Sequence, residues 1–180
     1  MINNMTNNAS KILAFVGLLT ALLLTGCNKS EEKTIVAPNP VIIQNGEECD
    51  LCGMYINRFP GPKGQVFERG GIPAKRFCST RDMFAYALQP EHKHRIEHIY
   101  VHDVATAAWD SQENATYIDA KTALFVTGHK LNGAMGPALA SFSKRADAES
   151  FIKDSGGKIL LFDEIDIEVI SMMSHQDMYH

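Results

Sequence analysis

Short apolar runs alternate with polar, turn-forming stretches, and the spacing of the apolar positions changes character along the chain. Residues 12–24 are apolar apart from Gly17 and Thr20, the length of a secretory leader and short for a membrane span. Residues 28–40 are polar, charged and punctuated by Pro38 and Pro40, the composition of a tether. Val41, Ile42 and Ile43 read as a short strand or as a hydrophobic handle packing on the domain. Residues 65–68 and 74–77 flank a glycine pair and predict a hairpin. Ser79 and Thr80 offer N-caps to a helix with Met83, Phe84, Ala87 and Leu88 on its apolar face, stopped by Pro90. Residues 96–104 alternate as a strand, with Ile96, His98, Tyr100 and His102 on one face and Ile99 and Val101 on the other.

Further along, 117–119 and 122–127 predict two strands, the second carrying the continuous apolar run Leu124, Phe125, Val126 of a buried strand. Residues 128–136 read as loop. Ser143 is the expected cap of a second helix, with Ala148, Phe151 and Ile152 as its apolar face and Gly156 and Gly157 as its stop. A strand over 158–162 and a final helix over 164–173 complete the series. The order strand, strand, helix, strand occurs twice, with Phe77 and Phe142 standing just before the two helices. This predicts two ββαβ units in an α+β fold with mainly antiparallel sheet.

The leader ends Leu24-Thr25-Gly26-Cys27, and small residues before a cysteine resemble the bacterial lipobox. That resemblance implies cleavage before Cys27 and a lipid on its sulfur. The domain plan is then a signal peptide over 1–26, a lipidated N-terminus and tether over 27–44, a folded domain over 45–170 and a tail over 171–180. The mature chain is expected on a membrane, outside the cytoplasm. An aspartate after the lipidated cysteine favours retention in the inner membrane; Asn28 stands there instead, which points to the outer membrane. Apolar content of 45% and charged content of 21% are ordinary for a globular domain, and a formal net charge of −4 argues against nucleic acid as a partner. Four cysteines are too few for a disulfide scaffold of this length.

The densest chemistry lies in Cys49-Asp50-Leu51-Cys52-Gly53-Met54, three sulfur side chains in six residues. Structural zinc wants a second paired motif, which the sequence lacks. A thioredoxin-like pair wants a helix after it, and Gly53 followed by Tyr55 to Phe59 does not make one. Thiolate and thioether together suit Cu(I), with Cys52 and Met54 facing one ion. Met135, between Gly133 and Gly136, is a loop methionine with small neighbours and an accessible thioether, and is the candidate third ligand. Met172, Met173, His175, Met178 and His180 make the tail a possible weaker capture site, with chance enrichment the plainer reading. His92, His94, His98 and His102 read as surface histidines, with His98 and His102 possible supports to a site. His102-Asp103 could pass for half a catalytic dyad, but no serine in a nucleophile elbow accompanies it, so hydrolase chemistry is discounted.

With these residues laid out, the chain resembles the nitrous oxide reductase accessory protein family, NosL. The resemblance rests on Cys52-Gly53-Met54, Phe59-Pro60-Gly61-Pro62-Lys63, Phe77-Cys78-Ser79-Thr80-Arg81-Asp82, Leu88-Gln89-Pro90-Glu91 and Val101-His102-Asp103. It continues in Ala134-Met135-Gly136-Pro137, Ser141-Phe142 and Gly156-Gly157-Lys158, and covers roughly 45–165. It implies a non-enzymatic, periplasm-facing lipoprotein that binds one Cu(I) through Cys52, Met54 and Met135. The cargo would serve the copper centres of nitrous oxide reductase, in concert with an ABC-type transporter complex. It further implies a fold similar to part of organomercurial lyase. Two other classes are a thiol–disulfide protein using Cys49 and Cys52, and a scaffold lipoprotein that binds no metal.

Overall fold

The computed structural model describes residues 37–70, 73–111 and 114–176, with side chains given as far as residue 173. The expected signal peptide, Cys27, most of the tether, and Met178 and His180 of the tail lie outside the described residues. Among the described residues, no helix is long and apolar enough to cross a membrane.

Nine strands and four helices follow in the order β1 (Gly64–Glu68), β2 (Lys75–Phe77), α1 (Thr80–Ala87), α2 (Pro90–Lys93), β3 (Ile96–His102), β4 (Tyr117–Asp119), β5 (Leu124–Thr127), β6 (Asn132–Gly133), β7 (Gly136–Pro137), β8 (Ala140–Phe142), α3 (Arg145–Ser155), β9 (Lys158–Leu161) and α4 (Ile167–Gln176) among the described residues. The strands pair antiparallel throughout, in a four-stranded sheet ordered β2-β1-β3-β4, a three-stranded sheet ordered β8-β5-β9 and the small β6-β7 hairpin. The α+β, antiparallel expectation is therefore met.

The internal duplication is visible in the strand order. In the first sheet the leading strand β1 is flanked by β2 and β3; in the second, β5 is flanked by β8 and β9. Each unit is strand, strand, helix, strand, with Phe77 and Phe142 ending the second strand of each. The membership of the second unit differs from expectation. Strand 117–119 belongs to the first sheet, where Val101 pairs with Ile118. The second unit takes β8, a three-residue strand too short to give a periodic signal.

Helix α1 begins where expected because Ser79 Oγ accepts the Asp82 N–H at 3.0 Å. Pro90 does more than stop it: it opens the short helix α2 from the first position, where proline's missing N–H costs nothing. The α3 cap is not Ser143. Lys144 occupies that position without a capping bond, because the Ser143 hydroxyl is taken by Asp103. Helix α1 lies close on β1: a Cβ at Gly64 would sit 2.5 Å from Met83 Sδ. Ile56, Val66, Phe77, Met83, Phe84, Val101, Phe125 and Leu139 form one core spanning both units, with the Phe84 and Phe125 rings edge-to-face at 5.2 Å.

Val41 acts as the expected handle rather than a strand. Its N–H and C=O are both bonded by the side-chain amide of Gln65 on β1, while Ile42 is exposed. At the other end, residues 171–176 continue α4 instead of forming a free tail, and Met173 is buried in the core.

Candidate metal centre

The sulfur-rich stretch folds into a closed loop. Glu48 bridges to Tyr55, the Cys49 N–H donates to Met54 O at 2.9 Å, and the Gly53 N–H donates to Cys49 O at 2.9 Å. Gly53 has φ +73°, which lets the chain turn back after Cys52. Asp50 fastens this loop to β2. Its N–H donates to Arg76 O, while its carboxylate accepts from the Arg76 N–H at 2.7 Å and from Lys75 Nζ at 2.9 Å.

The strand so gripped leads directly to Cys78. The result is a compact group: one ligand atom from each of Cys49, Cys52, Cys78 and Asp82 lies within 4.8 Å of every other. Cys52 Sγ is 3.4 Å from Cys78 Sγ, and the Cys78 thiol donates to Asp82 Oδ2 at 3.1 Å. Among the described histidine, cysteine, aspartate and glutamate side chains, this is the one group of three or more so arranged. All three cysteines are free thiols. Cys49 and Cys78 are buried and Cys52 is partly exposed, so Cys52 forms the mouth.

The electrostatics divide the thiols. The Cys78 thiol beside Cys49, helped by backbone N–H groups and opposed by burial, brings Cys49 down to about 5. Cys78 itself is pushed up by its hydrogen bond with Cys49, by burial and by the Asp82 carboxylate; Cys52 is pushed up chiefly by burial. Of the three thiols, Cys49 is therefore the one whose surroundings favour the thiolate. Below it lies Lys63, only 2% exposed, its ammonium donating to the carbonyls of Phe59 at 2.6 Å, Pro60 at 3.1 Å and Cys78 at 3.1 Å. Burial lowers Lys63 to about 8, which leaves it charged at neutral pH. A buried cation is thus held at the Cys78 backbone.

The two predicted methionines sit in different surroundings. Met54 is half-buried against the core, two residues after Cys52 in the same loop. Met135, 42% exposed, sits in the turn of the β6-β7 hairpin within what was expected to be plain loop. That hairpin is brought towards Cys78 by two contacts with the start of α1. A Cβ at Gly133 would lie 3.7 Å from the Ser79 Cβ, and the Thr80 hydroxyl donates to Leu139 O at 2.7 Å and accepts the Leu139 N–H at 3.1 Å.

Among the described residues, no histidine joins the group. His92 bonds Glu68 at 3.2 Å and stacks on Tyr86, and His98 stacks with Tyr100. His102 is buried, contrary to the surface reading, against the Tyr117 ring. Sequence spacing missed Cys78, Asp82 and Lys63 as one neighbourhood. The Phe77-Cys78 and Pro62-Lys63 segments reach it by strand pairing, and nothing in their local pattern announces that.

A model of the NosL family matches residues 40–170. This chain belongs to the NosL family. It is 40% identical over 167 residues to the copper-binding lipoprotein NosL of Stutzerimonas stutzeri, covering 91% of this chain and 86% of that one. It is 35% identical over 157 residues to the copper-binding lipoprotein NosL of Achromobacter cycloclastes, covering 85% and 80% respectively. The crystal structure of the copper chaperone NosL from Shewanella denitrificans superposes with a TM-score of 0.70 at 41% identity, over 74% of this chain and 99% of that chain. The fold described above is therefore a NosL fold.

Proposed function

We propose that this NosL-family chain is a carrier for one Cu(I) ion, held as cargo through Cys52 with the thioethers of Met54 and Met135. The observation that carries this reading is the position of Cys52: a partly exposed thiol at the mouth of a buried sulfur group, 3.4 Å from a second thiol. Thiolates and thioethers are soft donors, which select Cu(I) over the harder divalent ions. Thioethers are neutral and release a metal one bond at a time, which suits transfer better than a closed cage of four anionic ligands. The names of the relatives, copper-binding lipoprotein and copper chaperone, support the same cargo.

The carrier would stand on the membrane through a lipid on Cys27 and face the periplasm, in the outer membrane given Asn28. Its recipient would be the machinery that assembles the copper centres of nitrous oxide reductase, including an ABC-type transporter complex. No bond of the cargo is made or broken except metal–ligand bonds, so the chain acts as a binder rather than an enzyme.

The test is anaerobic Cu(I) titration of the intact chain in detergent against a competing chelator, for wild type, Cys52→Ser and Met135→Ala. One-to-one binding, lost in Cys52→Ser and weakened in Met135→Ala, is the expected result. Absence of binding by fully reduced wild type would remove the copper reading. It would leave thiol–disulfide exchange, for which Cys52 and Cys78 stand 3.4 Å apart and Cys49 lies within 4.8 Å of both.

A further inference from the structure

The sheet edges are finished differently in the two ββαβ units. The outer edge of β2 is taken by Asp50, which bonds both the N–H and the C=O of Arg76, and all three residues of β8 are buried. The other end strand of the second sheet is β9. Its last residue is closed, since the Leu161 N–H donates to the Glu164 carboxylate at 2.7 Å. That bond also fixes the phase of the ladder. Leu161 stands opposite Leu124 without giving it this N–H, so in the antiparallel alternation Leu160 bonds Phe125 and Ile159 does not bond Val126. The N–H and C=O of Ile159 therefore point out of the sheet edge, backbone groups of the kind that template another strand.

A cleft of about 440 Å³ opens beside this strand. Lys158 and Leu160 line it from β9, and Val169, Met172 and Met173 line it from α4. Residues 158 and 160 share one face of the strand, while Ile159 turns the other way, into the packing with Val126 and Ile152. Met172 is 60% exposed and Met173 only 4%. The α4 wall thus runs from the core to the surface as two flexible thioether side chains, a lining that adapts to what enters. Lys158 is exposed, and among the described residues it has no ion-pair partner.

We propose that β9 and this cleft receive an extended segment of a partner protein as an added strand. The partner's backbone supplies what the edge lacks: one residue opposite Ile159 exchanges both hydrogen bonds with it, continuing the antiparallel order of the sheet. Its two neighbours then stand opposite Leu160 and Lys158, and their side chains project on the cleft side. The one opposite Leu160 is apolar and fills the space against Val169 and the methionines. The one opposite Lys158 is acidic. An antiparallel partner meets Leu160 first and Lys158 last, so the segment reads apolar-x-acidic from its N-terminus.

Backbone and charge together select this occupant. A small apolar molecule would fill the cleft and leave Ile159 unpaired and Lys158 uncompensated. A second copy of this chain, paired through Ile159 about a twofold axis, would set Lys158 against leucine and leave its charge without a partner. An extended apolar-x-acidic segment satisfies all three features at once. The second unit contributes no residue to the sulfur group, so occupying its edge removes no thiol from that group.

The experiment uses the full-length chain in phosphatidylcholine nanodiscs and the hexapeptide Thr-Val-Leu-Thr-Glu-Thr, carrying fluorescein at its N-terminus and amidated at its C-terminus. Its leucine, central threonine and glutamate are placed to meet Leu160, Ile159 and Lys158. Fluorescence anisotropy gives the affinity, and hydrogen exchange read by mass spectrometry locates the peptide. Saturable binding with slowed exchange over residues 158–161 is the expected result. N-methylation of the threonine between leucine and glutamate removes one backbone bond and no side chain, and should weaken binding about tenfold. Lys158→Glu, at an exposed position, should weaken it about fivefold and leave Cu(I) binding unchanged. No saturable binding below about 1 mM, protection elsewhere than β9, or equal binding of the N-methylated peptide overturns the added strand. Unchanged binding in Lys158→Glu overturns the acidic position. Protection of β9 that rises with protein concentration in the absence of peptide makes a second copy the occupant and overturns the partner segment.

Discussion

Asp50 and Arg76 are joined by a reciprocal pair of bonds: the Asp50 N–H donates to Arg76 O at 2.9 Å, and the Arg76 N–H donates to Asp50 Oδ2 at 2.7 Å. The pair ties the loop bearing Cys49 and Cys52 to the strand that ends at Cys78. Asp50→Ala removes the carboxylate half of the clamp and the Lys75 ion pair. Because the site is partly solvated, the expected loss of stability is only about 1 kcal/mol. The loss of Cu(I) affinity is expected to be larger, about tenfold or more, since a supporting partner of metal ligands is removed. Urea unfolding and chelator competition on the same variant separate the two.

Thr80 and Leu139 set the position of Met135. The Thr80 hydroxyl satisfies both the N–H and the C=O of Leu139, and all of these groups are buried. Thr80→Val preserves shape and leaves two buried backbone groups unpaired. The expected cost is about 2–4 kcal/mol, read as a lower urea midpoint at unchanged slope. Copper affinity should fall in Thr80→Val as it does in Met135→Ala, because the hairpin loses its tie to α1. Equal affinities of Thr80→Val and wild type would separate Met135 from the site.

Acid should destabilise the domain well above the carboxylate range. Burial, then the nearby Lys63 charge, lowers His102 to about 3, and burial lowers His129 to about 4. Both folded values lie below the ordinary value of about 6.5, so the unfolded chain binds more protons between those limits. The histidine contribution should level off above about pH 7 and fall as pH drops from about 6.5 towards 4, by up to about 1.4 kcal/mol per pH unit for each histidine. Denaturant unfolding of the copper-free chain at several pH values checks this, and His129→Gln should reduce the slope.

Gly157 closes α3 onto β9 and has no room for a side chain. Its φ is +103°, and a Cβ would lie 2.6 Å from Thr127 O and 2.8 Å from Val126 Cγ1. Gly157→Ala therefore meets both backbone strain and a backbone clash, and should lower stability by at least about 2 kcal/mol in thermal unfolding. Gly156→Ala has strain alone, since nothing lies within 4 Å of its Cβ position, and should cost less.

The elements with several periodic residues were legible in the sequence. The α1 face of Met83, Phe84 and Ala87, the β3 alternation and the Leu124–Thr127 run all stand where the pattern puts them. Elements of two or three residues were not: β6, β7 and β8 carry too few positions to show a period. The Ser143 cap failed because a tertiary partner, Asp103, took its hydroxyl. Cys52 and Met54 stood out because they are neighbours in sequence. Cys78 joins them only through the pairing of β2 with β1 and the grip of Asp50 on Arg76, long-range relationships that local spacing does not encode.

The two ββαβ halves also invite a residue-for-residue comparison at the strand-to-helix corner. Phe77 matches Phe142, so Cys78 matches Ser143. Each has a buried aspartate as a hydrogen-bond partner, Asp82 for Cys78 and Asp103 for Ser143. The aspartates come from different places: Asp82 lies in the helix that follows Cys78, whereas Asp103 reaches Ser143 from the end of β3. The hydroxyl in the second half ties two distant segments together, whereas the thiol in the first stays within its own helix start and offers a donor suited to soft ions.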